Sequence, residues 1–131
     1  LNSLIASDYV IIPTYTERFS MKGINQLYEN FMAVKTSVNP NIKLLGFVLT
    51  RNKRNTLSKE LKELLETQFA KNMDTNLFKT TIREQVAVNE AQMLNMNIYD
   101  YMKNARKTRT GNVADDYLKF ADEVLERMED K

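Results

Sequence analysis

Cations are the residues of this sequence best placed to do chemistry. Residues 103–109, KNARKTR, hold Lys103, Arg106, Lys107 and Arg109 with no acid among them, and residues 51–54, RNKR, add Arg51, Lys53 and Arg54. On a helix, Lys103, Arg106 and Lys107 share one face, with Arg109 extending it. Such a stripe suits contacts to phosphates, which supply most sequence-independent DNA affinity and make it salt-sensitive. A net charge of only +2 hides this clustering. The compensating acids, Asp115, Asp116, Asp122, Glu123, Glu126, Glu129 and Asp130, crowd the last stretch of the chain.

What the sequence lacks narrows the chemistry further. With no cysteine and no histidine, it has no thiol or imidazole nucleophile, no histidine base, no disulfide and almost no route to zinc. Any catalysis must rest on carboxylates, lysines, hydroxyls or a bound metal. The 43% hydrophobic and 27% charged content is that of an ordinary soluble globular domain. No apolar run approaches the roughly 20 residues a membrane helix needs. No charged-then-apolar signal precedes the fold, so cytoplasm is the expected compartment and no membrane is expected as a partner. The first residues, LNSLIAS, read as the end of a helix, and the chain is expected to be an excised fragment.

The elements that must position these residues follow from periodicity. Tyr9–Ile12 is a short apolar strand stopped by Pro13, and Ile24, Leu27, Phe31, Val34 and Val38 form the stripe of a following helix. NPN at 39–41 ends that helix. KLLGFVLT, 43–50, is a continuous apolar run suited to a strand covered on both faces. Leu57, Leu61, Leu64, Leu65 and Phe69 mark a second helix, and LFKTTI, 77–82, a third strand. Val86, Val88 and Ala91 then mark a loop turning into a short helix. Residues 99–111 read as a connecting loop or basic arm, and 112–129 as a terminal helix with Val113, Tyr117, Phe120, Val124 and Met128 on its apolar face. The expected fold class is α/β: a parallel sheet of about three strands flanked by helices, joined by right-handed crossovers, in a single domain.

The order of segments resembles the C-terminal half of ParA/Soj-type partition ATPases, relatives of MinD with the deviant P-loop. The phrases that carry the likeness are SDYVIIP, ERFSMKG, LGFVLT, FKTTI and VAVNEA, in that order, and then YLKFADEVL. The resemblance implies the C-terminal half of a three-layer αβα P-loop-type fold. It implies a parent protein that hydrolyses ATP with Mg, dimerises on ATP, binds DNA nonspecifically and meets a ParB-like partner at the bacterial nucleoid, segregating plasmid or chromosomal DNA. These 131 residues contain no GxxxxGK(S/T) and only Gly23, Gly46 and Gly111, so the backbone cradle for phosphate lies outside them. The fragment alone is expected to be inactive and to bind no nucleotide tightly.

Ligands of open α/β sheets bind outside the carboxyl ends of the strands. The resemblance assigns the loops there to the base-side wall of the nucleotide pocket, which makes Thr50, Arg51, Asn52, Arg83, Glu84 and Gln85 the candidate adenine contacts. It turns the first exit loop toward the ATP-dependent dimer partner, with Glu17 and Arg18 near that surface; the residues themselves read as a loop with Ser20 as helix N-cap and Phe19 as its staple. Lys53, Arg54, Lys103, Arg106, Lys107 and Arg109 are the candidate DNA contacts. The sequence departs from the family where Arg83 replaces a usual proline, where Ala87 replaces an arginine, and where ARKTRTGNVADDY replaces a shorter phrase. The acidic terminal helix would be repelled by anionic lipid, unlike the basic one of MinD. The competing readings are a non-enzymatic DNA-binding or adaptor module and another MinD-like deviant P-loop ATPase. In the family sheet the first strand sits beside the phosphate-loop strand, so without that neighbour self-association is expected.

Overall fold

The computed structural model describes residues 1–15, 21–53, 56–72, 77–104 and 112–129. In chain order these form α1 (Asn2–Ala6), β1 (Tyr9–Thr14), α2 (Met21–Ser37), β2 (Lys43–Leu49), α3 (Thr56–Asn72), α4 (Val86–Met93), α5 (Ile98–Asn104) and α6 (Val113–Glu129). β1 and β2 pair in parallel from Tyr9↔Lys43 to Thr14↔Leu49. The fold is α/β, a parallel sheet flanked by helices.

β2 is the spine. Every residue from Leu44 to Leu49 is buried, as its unbroken apolar run requires of a strand covered on both faces. Strict alternation would set Leu44 and Phe47 on opposite faces, yet both belong to the same core cluster. The register shift between Val10 and Ile11 explains this. It leaves Leu45 as an extra residue opposite β1, resetting the alternation. Gly46, at φ 148°, makes the shift possible because no side chain obstructs that backbone.

Helices cover both faces. Ile24 and Phe31 of α2 and Leu65 of α3 pack with Leu44, Phe47 and Leu49. Phe120 and Val124 of α6 pack with Leu45, Val48, Phe78 and Ile82, around a fully buried Val113. Phe78 and Phe120 meet edge to face, centroids 5.0 Å apart, a geometry adding about 1 kcal/mol beyond area burial. The α2 stripe turns slightly from the expected one. Tyr28 packs against the core while Leu27 and Val38 stay exposed. In α3, Leu61 packs and Leu64 is exposed; Leu57 and Phe69 lie outside the described side chains.

Two expected elements come out differently. The third strand is a broken one. Leu77 and Phe78 align with Phe47, and Ile82 and Arg83 with Leu49 and Asn52, through Phe78 N–H to the Phe47 carbonyl (2.7 Å) and Ile82 N–H to the Leu49 carbonyl (2.8 Å). Between them the ladder is interrupted. The N–H groups of Lys79 and Thr80 instead donate to the Glu123 carboxylate of α6, at 2.9 and 2.8 Å. The second difference lies in 99–111, whose first part is helical. Asn97 caps α5, its Oδ1 accepting the Asp100 N–H at 2.9 Å. Residues 105–111 lie outside the described residues.

Candidate functional site

At the carboxyl ends of β2 and the broken third strand, a cleft of about 410 Å³ opens among Thr50, Arg51, the 82–85 segment, α4 and the first turns of α6. The strand ends that support it are pinned. Thr50 donates its N–H to the Thr14 carbonyl at 2.7 Å and its hydroxyl to the same oxygen at 3.2 Å. Arg51 turns the chain with a left-handed φ of 49°, a conformation that costs a non-glycine residue about 1 kcal/mol. Its guanidinium sits 5.2 Å from the Tyr15 ring centroid, a cation–π contact that helps hold the turn.

The opposite wall belongs to α4 and α6. Gln85, Val88, Asn89 and Gln92 line the cleft, and their spacing of three, four and seven puts them on one helical face. Ala87 and Ala91, on the other face, pack into the molecule. Gln85 does more than line the cleft. Its Oε1 accepts the Val113 N–H at 2.9 Å, satisfying one of the free donors at the start of α6.

Asp116 is the buried charge beside this wall, 7% exposed. It grips Arg83 three times: Nε to Oδ2 at 2.6 Å, Nη2 to Oδ1 at 2.9 Å and the backbone N–H to Oδ2 at 3.1 Å. This fork-on-carboxylate pairing is the strongest form an ion pair takes. The hydrogen bond to Asp116 raises the Arg83 guanidinium above its ordinary value against the opposing effect of burial, and the charges of Asp116 and Asp115 add to the rise.

Five of the six candidate base contacts, Thr50, Arg51, Arg83, Glu84 and Gln85, therefore come together around one cleft. Asn52 faces elsewhere. Its Nδ2 donates to the Thr81 hydroxyl at 3.2 Å, and its backbone exchanges hydrogen bonds with Ile82 and Glu84, so it stitches β2 to the third strand. Among the candidate DNA contacts, Lys53 is exposed and 3.3 Å from the Glu84 carboxylate, and Lys103 is exposed in the last turn of α5. Arg54, Arg106, Lys107 and Arg109 lie outside the described residues, as do Glu17, Arg18, Phe19 and Ser20. Sequence reading missed Val88, Asn89, Gln92, Tyr117 and Asp116. The periodicity of α4 was a usable signal for the first three; nothing local marks the other two.

The charged groups of the cleft wall are engaged: Arg83 with Asp116, Glu84 with Lys53, Arg51 with Tyr15. Such a wall suits a flat, neutral, polar group better than a phosphate. Among the described residues, no group of acids could hold a metal ion, and no helix is long and apolar enough to cross a membrane.

Fold and geometry together define an α/β protein with a cleft at the carboxyl ends of parallel strands, where open α/β sheets take their ligands. Among solved structures, cobyrinic acid a,c-diamide synthase from Mycobacterium smegmatis has this fold: TM-score 0.54 and 23% identity over 86% of this chain and 43% of that one. A family model described as an AAA domain matches residues 1–44. The chain is 28% identical to the chromosome partitioning protein ParA of Caulobacter vibrioides, over 100% of this chain and 46% of that protein. It is 28% identical to the chromosome-partitioning ATPase Soj of Thermus thermophilus, over 99% and 49%. It is 29% identical to the sporulation initiation inhibitor protein Soj of Bacillus subtilis, over 95% and 46%. The chain is thus a relative of the ParA/Soj-type partition ATPases, and it spans about half the length of the curated relatives it matches.

Proposed function

We propose that this chain is the C-terminal part of an ATP-dependent DNA partition ATPase, and that its cleft receives the base of the nucleotide. The observation that carries the reading is the convergence of Thr50, Arg51, Glu84 and Gln85 with one polar face of α4 at the carboxyl ends of the strands. The engaged charges of the wall fit a neutral base. Phosphates and Mg would be held by a glycine-rich loop outside these residues, and that loop with its metal supplies the hydrolytic chemistry. ATP would bring two copies together, with Glu17 and Arg18 toward the partner copy. The dimer would hold nonspecific DNA through the basic segment from Lys103 to Arg109, together with Lys53 and Arg54, until a ParB-like protein stimulates hydrolysis. The protein would work in the bacterial cytoplasm at the nucleoid. The docking of Val113, Phe120 and Val124 against the sheet favours this over membrane attachment, because it removes much of the apolar face of α6 from any lipid contact.

The test is retention of the full-length protein on nonspecific DNA. Retention is expected to require ATP, to fall steeply with salt, and to disappear when Lys103, Arg106, Lys107 and Arg109 are changed to alanine. Retention unchanged by the four substitutions would remove the basic segment from the proposal. A protein that binds DNA but not ATP would leave the adaptor reading in its place.

A further inference from the structure

We infer that Asp116 is a positioning residue for the cleft: from the first turns of α6 it fixes the Arg83 guanidinium in the wall, so that ligand binding and the seating of α6 become one event. The inference rests on the reading of the cleft as a base site and adds a residue that sequence and resemblance leave unassigned. Two independent contacts join the same parts. Asp116 holds Arg83 through three hydrogen bonds, and the Gln85 side chain accepts the Val113 N–H at the head of the helix. Arg83 and Gln85 both line the cleft, and so does Tyr117, the residue after Asp116. A ligand pressed against this wall therefore touches the anchors of α6 as well as the helix itself. Asp116 does not line the cleft; its influence passes through Arg83. The pair is also well placed to transmit, since a fork-on-carboxylate contact whose carboxylate is buried has one good geometry and a costly broken state.

The experiment uses the full-length protein with Mg-ATP as the probe, titrated calorimetrically and followed by amide hydrogen exchange. In the wild type, Mg-ATP is expected to slow exchange in residues 113–117. D116N, which keeps the shape but removes the charge, is expected to weaken Mg-ATP binding about tenfold and to abolish that protection. Should D116N fail to fold, the double variant R83M/D116L replaces the pair with apolar groups of similar size, an exchange that buried pairs often tolerate. It is expected to recover the melting temperature while leaving Mg-ATP binding about tenfold weakened. Recovery of binding together with stability would mean that the pair only holds the fold, and would overturn the inference. So would wild-type affinity in D116N, or unchanged exchange in residues 113–117 on binding. N89A and Q92A, on the α4 face of the cleft, separate the two levels. If they weaken binding while D116N does not, only the role of Asp116 fails; if they too bind normally, the base-site reading fails and this inference with it.

Discussion

Glu123 and Arg127 join α6 to the sheet more firmly than hydrophobic packing alone would. Arg127 reaches the Leu45 carbonyl at 2.7 Å, the Leu77 carbonyl at 3.0 Å and the Glu123 carboxylate at 3.2 Å, and its guanidinium sits 3.9 Å from the Phe78 ring centroid. Leu45 is the extra residue of the strand shift, and Arg127 supplies a partner for its carbonyl. Burial by itself would push the Glu123 carboxyl up. The N–H groups of Thr80 and Lys79, the Thr80 hydroxyl and the Arg127 charge outweigh it, so the group lies below its ordinary value of 4.5. A carboxylate depressed in the folded state contributes stability that is fully present above the unfolded value and is lost as pH falls through the lower folded one. Glu123→Gln should therefore lower stability at neutral pH by about 1–3 kcal/mol. Its disadvantage should shrink as pH drops below about 4.5, which chemical denaturation across that range would measure. A constant gap between the two proteins down to pH 3 would mean that the ionisation of Glu123 does not contribute to stability. Arg83 makes a related point: the resemblance placed it at the cleft, and only the distant Asp116 explains how it is held there.

Among the elements, α6 has a fully specified start. Asn112 Oδ1 accepts the N–H groups of Ala114 (2.9 Å) and Asp115 (3.2 Å), while Asp115 Oδ2 accepts the Asn112 N–H (3.2 Å). This is a capping box written with asparagine and aspartate, and the first-turn carboxylates of Asp115 and Asp116 lie at the positive end of the helix dipole. Asn112→Ala should cost about 1 kcal/mol, read as a lower thermal midpoint, while Asn112→Asp should retain most of the stability. Equal losses in both variants would show that the side-chain oxygen is not the working cap. α5 is held differently: the Tyr101 hydroxyl donates to the Glu90 carboxylate of α4, which raises the phenol above its ordinary value. α4 and α5 thereby carry Lys103 on a helix joined to the cleft wall.

At the scale of the molecule, β1 is the exposed side of the sheet. Its inner edge pairs with β2, and among the described residues no strand pairs with its outer edge. Next to it, an open groove of about 610 Å³ is lined mainly by apolar side chains, including Ile11, Tyr99, Phe120, Val124 and Leu125. An open strand edge beside uncovered apolar surface is a template for association. The 131-residue chain should accordingly show concentration-dependent association in sedimentation velocity, and a Lys substituted for Ile11 should reduce it. A strictly monomeric chain at high concentration would count against an exposed adhesive edge.

Several levels of this molecule were legible in its residues. The uninterrupted apolar run of Leu44–Leu49 announced a strand covered on both faces, and the NPN of 39–41 marked the end of α2, whereas β1 runs on through Pro13, expected to stop it, to Thr14 as a strand whose outer edge needs no N–H from that residue. Those features are local: a residue's neighbours within one turn or one pleat decide them. The resemblance added the cleft loops, because the order of phrases preserves the order of elements. Other features depend on which distant segments the crossovers bring together. Arg83 meets Asp116 across 33 positions and Lys79 meets Glu123 across 44, separations over which no periodicity carries information. The third strand illustrates the difference best. Its residues have strand character throughout, yet the carboxylate of Glu123 captures the N–H groups of Lys79 and Thr80 and breaks the ladder. The sequence by itself determined which apolar stretches build the core and that β2 is buried from Leu44 to Leu49. The tertiary structure alone decided which charges pair, because the interaction energy of two ions depends on their separation in space and on the burial around them.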